Sequence, residues 1–217
     1  MFCAIFILNI TLPLQQNKLT KGGLKMKGYV NELLDAKGRL HLFRGTAHRV
    51  GWFLAVNYAH YSHNSVHNSV LIPAMRAGIA FEKSFLKIIF PAPRLHYITT
   101  RRDPATLKPK VLYKSFGLGE KEADTVILLE PMLGTGGTMM TVINEISKAF
   151  NPKEIVVVSA FVSKQAEELL SGKVQILALS KGHDLNDKGY ILIPDSYNPE
   201  NIITMDFGDE YCGTYSH

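Results

Sequence analysis

T-V-I-L-L-E-P-M-L-G-T-G-G-T-M-M-T-V-I-N-E-I-S-K-A-F, residues 125–150, is the stretch whose reading decides the fold. Val126, Ile127, Leu128 and Leu129 form a short apolar run without alternation, the pattern of a strand buried on both faces. Glu130 follows, and then Pro131, which has no N–H to give a central ladder. Gly134, Thr135, Gly136, Gly137 and Thr138 supply backbone freedom, N–H groups and two hydroxyls. Met139, Val142, Ile143, Ile146, Ala149 and Phe150 then recur at helical spacing. A strand therefore delivers a glycine-rich loop to a helix N-terminus, where unpaired N–H groups and the helix dipole favour an anion. Glu130 is within reach of whatever carries that anion. No Gly-Lys-Ser/Thr closes the loop, and its glycines lack the G-x-G-x-x-G spacing, so neither common nucleotide fingerprint applies. Taken alone, the loop also fits a tight strand-to-helix turn whose glycines serve geometry only.

The neighbouring segments continue the same rhythm. Residues 69–73, S-V-L-I-P, read as a strand running into Ala74-Met75-Arg76-Ala77-Gly78 and a helix over about 79–90. An arginine directly after a strand, among small residues, can reach an anion with its planar fork, although a surface arginine at a strand end is commoner. Residues 154–161 predict a buried strand, 163–170 a helix and 174–179 another strand. Strand–helix alternation of this kind calls for a parallel sheet with ligands collecting beyond the strand C-termini, where both the Arg76 turn and the glycine loop lie. Residues 94–100 and 110–116 read as two strands bracketing R-R-D-P-A-T-L-K-P-K, either an arm over a site or a solvated hairpin. Residues 117–124 read as a loop. Residues 28–59 read as largely helical, with Phe43, Ala47, Val50, Leu54 and Tyr58 on one face.

At 217 residues and 46% hydrophobic content, the chain suffices for one α/β domain with its own core. Cys3 and Cys212 lie far apart and match no disulfide framework or metal spacing, which fits a reducing compartment, most simply the cytoplasm. The net charge of +5 suits a polyanionic small ligand. Its basic residues are scattered rather than striped, which argues against nucleic acid as the principal partner. Residues 1–14 are apolar but lack a basic flank and are broken by Pro13, so they predict neither a signal peptide nor a membrane span. They read as a peripheral strand or an ordered tail; alternatively the chain starts at Met26, which would make residues 1–25 an extension and 26–217 the domain. His60, His63 and His67 approach helical spacing, but without accompanying carboxylates or cysteines they read as a polar helix end or loop. Residues 205–214, M-D-F-G-D-E-Y-C-G-T, read as a loop lining a pocket or as a cap on the sheet edge.

Four of these segments, in order, resemble the uracil phosphoribosyltransferase family. I-P-A-M-R-A-G (72–78) is similar to its diphosphate-meeting segment, and R-R-D-P-A-T-L-K-P (101–109) to its arm. E-P-M-L-G-T-G-G-T (130–138) is similar to its D-P-M-L-A-T-G-G-S loop, and L-N-D-K-G-Y-I (185–191) with residues 206–214 to its uracil-recognising end. The resemblance implies a type I phosphoribosyltransferase-like α/β fold: a parallel sheet flanked by helices, a β-arm at about 94–116 and a C-terminal hood. It implies Arg76 and Arg102 on the diphosphate of 5-phosphoribosyl 1-diphosphate (PRPP), Glu130 on the ribose, and Pro131, Met132, Leu133 and the loop from Gly134 to Thr138 around the 5-phosphate. It further implies Asp206 as a catalytic residue near base and diphosphate, and Ile191, Met205, Asp206 and Phe207 at the base. Magnesium would arrive on the diphosphate, with no protein metal site. The family also suggests a homodimer or higher oligomer and, in some members, activation by guanosine triphosphate. The chain departs from the family at Glu130 for aspartate, Gly134 for alanine and Thr138 for serine. At the base end Met205-Asp206-Phe207 replaces Gly-Asp-Ala, Glu210 replaces an arginine, and residues are inserted between Tyr190 and Asp206. Uracil transfer, transfer to another nucleobase, and a catalytically silent binder of PRPP or nucleotide are the functions these features leave open.

Overall fold

In the computed structural model, residues 20–62, 68–103, 109–195 and 197–214 are described, with side chains from residue 26 onward and those of Tyr61 and Arg102 outside the description. The apolar run of the opening stretch is a strand, β5 (Thr125–Leu129), buried along its whole length. It pairs in parallel with β1 (Ser69–Met75) on one side and β7 (Glu154–Ser163) on the other. β8 (Gln175–His183) adds in parallel beyond β7. On the far side of β1, residues 94–102 are two strands rather than one. β2 (Arg94–Leu95) pairs with the start of β1 and β3 (Ile98–Arg102) with its end. β3 then turns back antiparallel with β4 (Pro109–Lys114), making the arm; its tip, residues 104–108, lies outside the described residues.

Helices cover both faces, as strands buried on both sides require. α1 (Thr20–Ala36), α2 (Leu40–Tyr61) and α3 (Ile79–Ile88) pack on Leu71, Ile127, Leu129, Val156 and Val158. α4 (Gly137–Phe150) and α5 (Lys164–Leu170) pack on the alternate residues Val70, Ile72, Val126, Leu128 and Val157. The apolar faces read from periodicity are the buried ones. Phe43, Ala47, Val50 and Leu54 are fully buried, and so are Met139, Val142, Ile146 and Phe150. The helical segment expected over 28–59 is two helices that turn at Lys37-Gly38-Arg39, where Gly38 takes a positive φ of 74°. His60 closes α2, while His63 and His67 lie outside the described residues. Among the described residues no helix is long and apolar enough to cross a membrane.

Candidate active site

The parallel register sets Pro73 of β1 opposite Leu129 of β5, so Arg76 and Glu130 emerge at the same edge of the sheet. Arg76 follows a cis Met75–Arg76 peptide, and the turn closes at Gly78. A Cβ on Gly78 would stand 2.4 Å from the Leu129 carbonyl oxygen and 2.6 Å from the Ala74 nitrogen. Only glycine allows this approach of the two strand ends. Beyond them lies a cavity of about 330 Å³.

One wall of the cavity is the glycine loop. Pro131 interrupts β5 without orphaning the ladder. Glu130 N–H donates to the Val158 carbonyl at 2.9 Å, and the Pro131 carbonyl accepts from Ala160 and Phe161. The strand resumes as β6 (Met132–Leu133), paired in parallel with β7. Gly136 has φ 77°, and a Cβ there would lie 3.0 Å from Leu169 and 3.3 Å from Ala166 of α5. Two independent constraints therefore require glycine at that position. α4 begins with neither a side-chain cap nor an acidic residue in its first turn. The positive end of its dipole is thus left without a carboxylate from its own first turn.

Glu130 is recessed at the floor, beside Asp206. Burial pushes its carboxyl up to about 8; the Met132 N–H opposes the shift, and the Asp206 charge adds to it. The Met132 N–H reaches Glu130 Oε1 at 3.4 Å.

The opposite wall is a hood. Residues read as a loop form a short helix, α6 (Phe207–Cys212), capped by Asp206, whose Oδ1 accepts the Asp209 N–H at 3.0 Å. Distant contacts dock this helix. The Phe207 ring packs edge-on between Phe43 and Phe81, with centroids 4.9 and 5.8 Å away. Arg44 Nε donates to the Tyr211 carbonyl at 2.7 Å. Glu210, 5% exposed, accepts the Gly38 N–H at 2.8 Å, so it serves the α1–α2 corner and not the cavity. The chain inserted after Tyr190 forms a hairpin, β9 (Ile193–Pro194) with β10 (Ile202–Ile203), away from the cavity lining.

The cavity gathers Arg76, Glu130, Met132, Leu133, Gly134, Thr135, Gly136, Thr138, Ile191, Met205, Asp206 and Phe207 from the expected set. Pro131 and Gly137 lie outside the lining: Pro131 joins the sheet through its carbonyl, and Gly137 opens α4. Arg102 ends β3 in the arm, its side chain outside the description. The structure adds Thr100 from the arm and the Gly189–Tyr190 turn to the lining. It also adds a contact that spacing does not reveal. Arg76 donates to Asp209 Oδ1 at 2.7 Å and to Thr214 Oγ1 at 2.6 Å, and Thr214 bonds Asp209 in turn. Asp209 could be noticed as an acid in the tail, but its partner lies 133 residues away. Among the described residues no group of three or more His, Cys, Asp or Glu side chains could hold a metal.

A parallel sheet with an arm, a glycine loop and a hood around its C-terminal edge is the phosphoribosyltransferase architecture. The fold is similar to a hypoxanthine phosphoribosyltransferase from Staphylococcus aureus, with a TM-score of 0.50, 13% identity, and 71% of this chain and 83% of that one covered. It is more closely similar to the AQ2163 protein from Aquifex aeolicus, with a TM-score of 0.71, 22% identity, and 92% and 99% coverage. The family model for uracil phosphoribosyltransferase matches residues 53–195, and the chain belongs to that family. Uracil phosphoribosyltransferase from Anoxybacillus flavithermus is 35% identical over 124 residues, 56% of this chain and 58% of that protein. The one from Aquifex aeolicus is 31% identical over 126 residues, 57% and 59% of the two. The chain thus spans somewhat under three fifths of the length of these relatives.

Proposed function

We propose that the protein transfers the phosphoribosyl group of PRPP to uracil, giving UMP and diphosphate. The observation that carries this reading is one cavity combining an arginine, a recessed carboxylate, an uncapped helix N-terminus behind a glycine loop, and a second carboxylate from the hood. In the transfer the C1–O bond to diphosphate breaks, a C1–N bond to the base forms, and the base nitrogen gives up its proton to the departing diphosphate or to water. The transition state is oxocarbenium-like, so catalysis consists of positioning and of stabilising charge on the leaving group. The loop N–H groups with Thr135 and Thr138 hold the 5-phosphate. Glu130 accepts from the ribose hydroxyls, a role for its ionised form. Arg76, joined from the arm by Arg102, binds the diphosphate. Magnesium, carried on the diphosphate, would supply neutralisation of part of its charge, and Asp206 is the residue we assign to face the diphosphate and the base. Ile191 and the Tyr190 turn flank the base, as the family resemblance implies. Two cysteines that match no disulfide framework make the cytoplasm the setting we assign, and the resemblance adds self-association and guanosine triphosphate as a candidate activator.

Met205 favours a second reading, a different nucleobase, because it lines the cavity where the family motif has glycine. Phe207 does not, since its ring is buried against Phe43 and Phe81. Diphosphate release with PRPP, magnesium and each base in turn decides between them. Release with uracil supports the first reading and release with another base alone supports the second. PRPP binding without release for any base makes the protein a silent binder. Guanosine triphosphate belongs in the same assay, and sedimentation gives the oligomeric state.

A further inference from the structure

Ser163 stands at the junction of β7 and α5, fully buried and away from the cavity lining. Its hydroxyl does two things. It donates to the Gly134 carbonyl at 2.6 Å, and it accepts the Ala166 N–H at 2.9 Å as the N-cap of α5. The cap alone would explain a serine here. The second bond crosses to the glycine loop and fixes a peptide plane. Because a trans peptide is planar, the Gly134 carbonyl and the Thr135 N–H point in opposite directions. Anchoring the carbonyl behind the loop turns the Thr135 N–H to the other side, where Thr135 lines the cavity. Gly134 has no Cβ to narrow its ψ, so the tilt of that plane is left to an external anchor on the Gly134 side, while the Thr135 Cβ opposes full reversal. The same helix supports the loop one residue on, where Ala166 and Leu169 close on Gly136.

We propose that Ser163 is a positioning residue for the phosphate loop: through the Gly134 carbonyl it holds the Thr135 N–H toward the bound 5-phosphate. This rests on the phosphoribosyl reading of the cavity. In its absence the plane tilts over a wider range, and each phosphate encounter must select the productive tilt. The loss falls on affinity, with little change in the chemical step once substrate is bound.

Ribose 5-phosphate binding measured by calorimetry tests this, with PRPP kinetics beside it. Ser163→Ala should weaken ribose 5-phosphate binding by about fivefold to tenfold, the range for one lost neutral hydrogen bond, and raise the PRPP KM alike with kcat within about twofold. Ser163→Thr keeps the hydroxyl and should restore both. Leu170→Val, which loosens α5 without touching Gly134, should lower thermal stability yet leave affinity unchanged. Ser163→Gly serves if the alanine variant fails to fold, since glycine caps nearly as well while lacking the donor. Wild-type affinity in the Ala or Gly variant overturns the proposal, and so does an equal loss in Leu170→Val. A wild-type protein that binds no ribose 5-phosphate overturns the phosphoribosyl reading itself, and this inference with it.

Discussion

The loop wall and the hood wall of the cavity are held by different kinds of contact. The loop wall is consecutive: strand, acid, proline, glycines and helix follow one another over 26 residues, and the strands beside it fix the register. The hood wall is assembled at long range. Phe207 depends on Phe43 and Phe81, Glu210 on Gly38, Tyr211 on Arg44, and Asp209 on Arg76. One wall is therefore set mainly by backbone conformation, with Ser163, the N-cap of α5, as its side-chain anchor, and the other by side-chain partners throughout. Substitutions should separate them: on the loop side even a methyl group is costly, whereas on the hood side the cost follows the partner left behind.

The largest effect is expected where the loop edge has no room. Gly78→Ala places a Cβ against three backbone atoms that belong to the β1 and β5 strands and cannot rotate aside. Overpacking against backbone should cost about 3 kcal/mol, which is roughly 6–12 °C in Tm for a domain of this size. Gly45→Ala, in α2, meets nothing within 4 Å and should be neutral or stabilising by about 0.5–1 kcal/mol. Thermal melts of the pair check both. Equal melting temperatures would break the contrast.

On the hood side the comparable test is Glu210→Arg, which restores the residue type of the family motif. Here it would bury a cation, leave the Gly38 N–H without its acceptor and remove the tie between α6 and the α1–α2 corner. A loss of about 3 kcal/mol is expected. Glu210→Gln keeps an acceptor and should lose about 1 kcal/mol. A tolerated arginine would mean that the hood is free to repack.

The same division explains what could be read from the chain. The strand at 125–129, the buried face of α4 and the parallel sheet were legible because each follows from local periodicity and β-branched or apolar runs. The broken strand at Pro131 was not. Its continuation as β6 depends on Ala160 and Phe161 bonding the Pro131 carbonyl, a partner choice made by the sheet. Arg76, Glu130 and Asp206 could be picked out as candidates from motif and position, and the cavity brings them together. The reason for Glu210 could not, because a substitution that looks disruptive in a motif is absorbed by an N–H from a turn 172 residues away. Nor did helical periodicity mark α6, which is too short for one and is defined by its Asp206 cap.

Glu130 joins the two walls through charge, and pH is the way to probe it. Its carboxyl is raised from 4.5 to about 8 by burial, so the folded protein keeps a proton that the unfolded chain has lost. Stability relative to Glu130→Gln is then fully present below about pH 4.5 and declines as pH rises toward 8, because the native state binds more protons over that window. Melts of the two proteins should coincide at pH 4.5 and diverge in favour of Glu130→Gln by pH 8. If Glu130 accepts from the ribose hydroxyls as proposed, PRPP should bind the wild type more tightly as pH rises through the same range. Parallel melting curves at every pH would remove the recessed acid from the account.

The smallest effect sharpens the comparison most. Arg76 leaves the loop edge yet is held by the hood, through Asp209 and Thr214. Its side chain is 50% exposed, so solvent screens the ion pair, and Asp209→Asn should change stability by about 1 kcal/mol or less. Asparagine still offers Arg76 an oxygen, but without the charge that aligns the guanidinium. If the hood orients this arginine for diphosphate, the variant should raise the PRPP KM severalfold while ribose 5-phosphate, which has no diphosphate, binds as before. A loss of affinity for both ligands would place Asp209 in the general support of the cavity. A lower KM would reveal a contact that competes with diphosphate, making the hood a brake on Arg76.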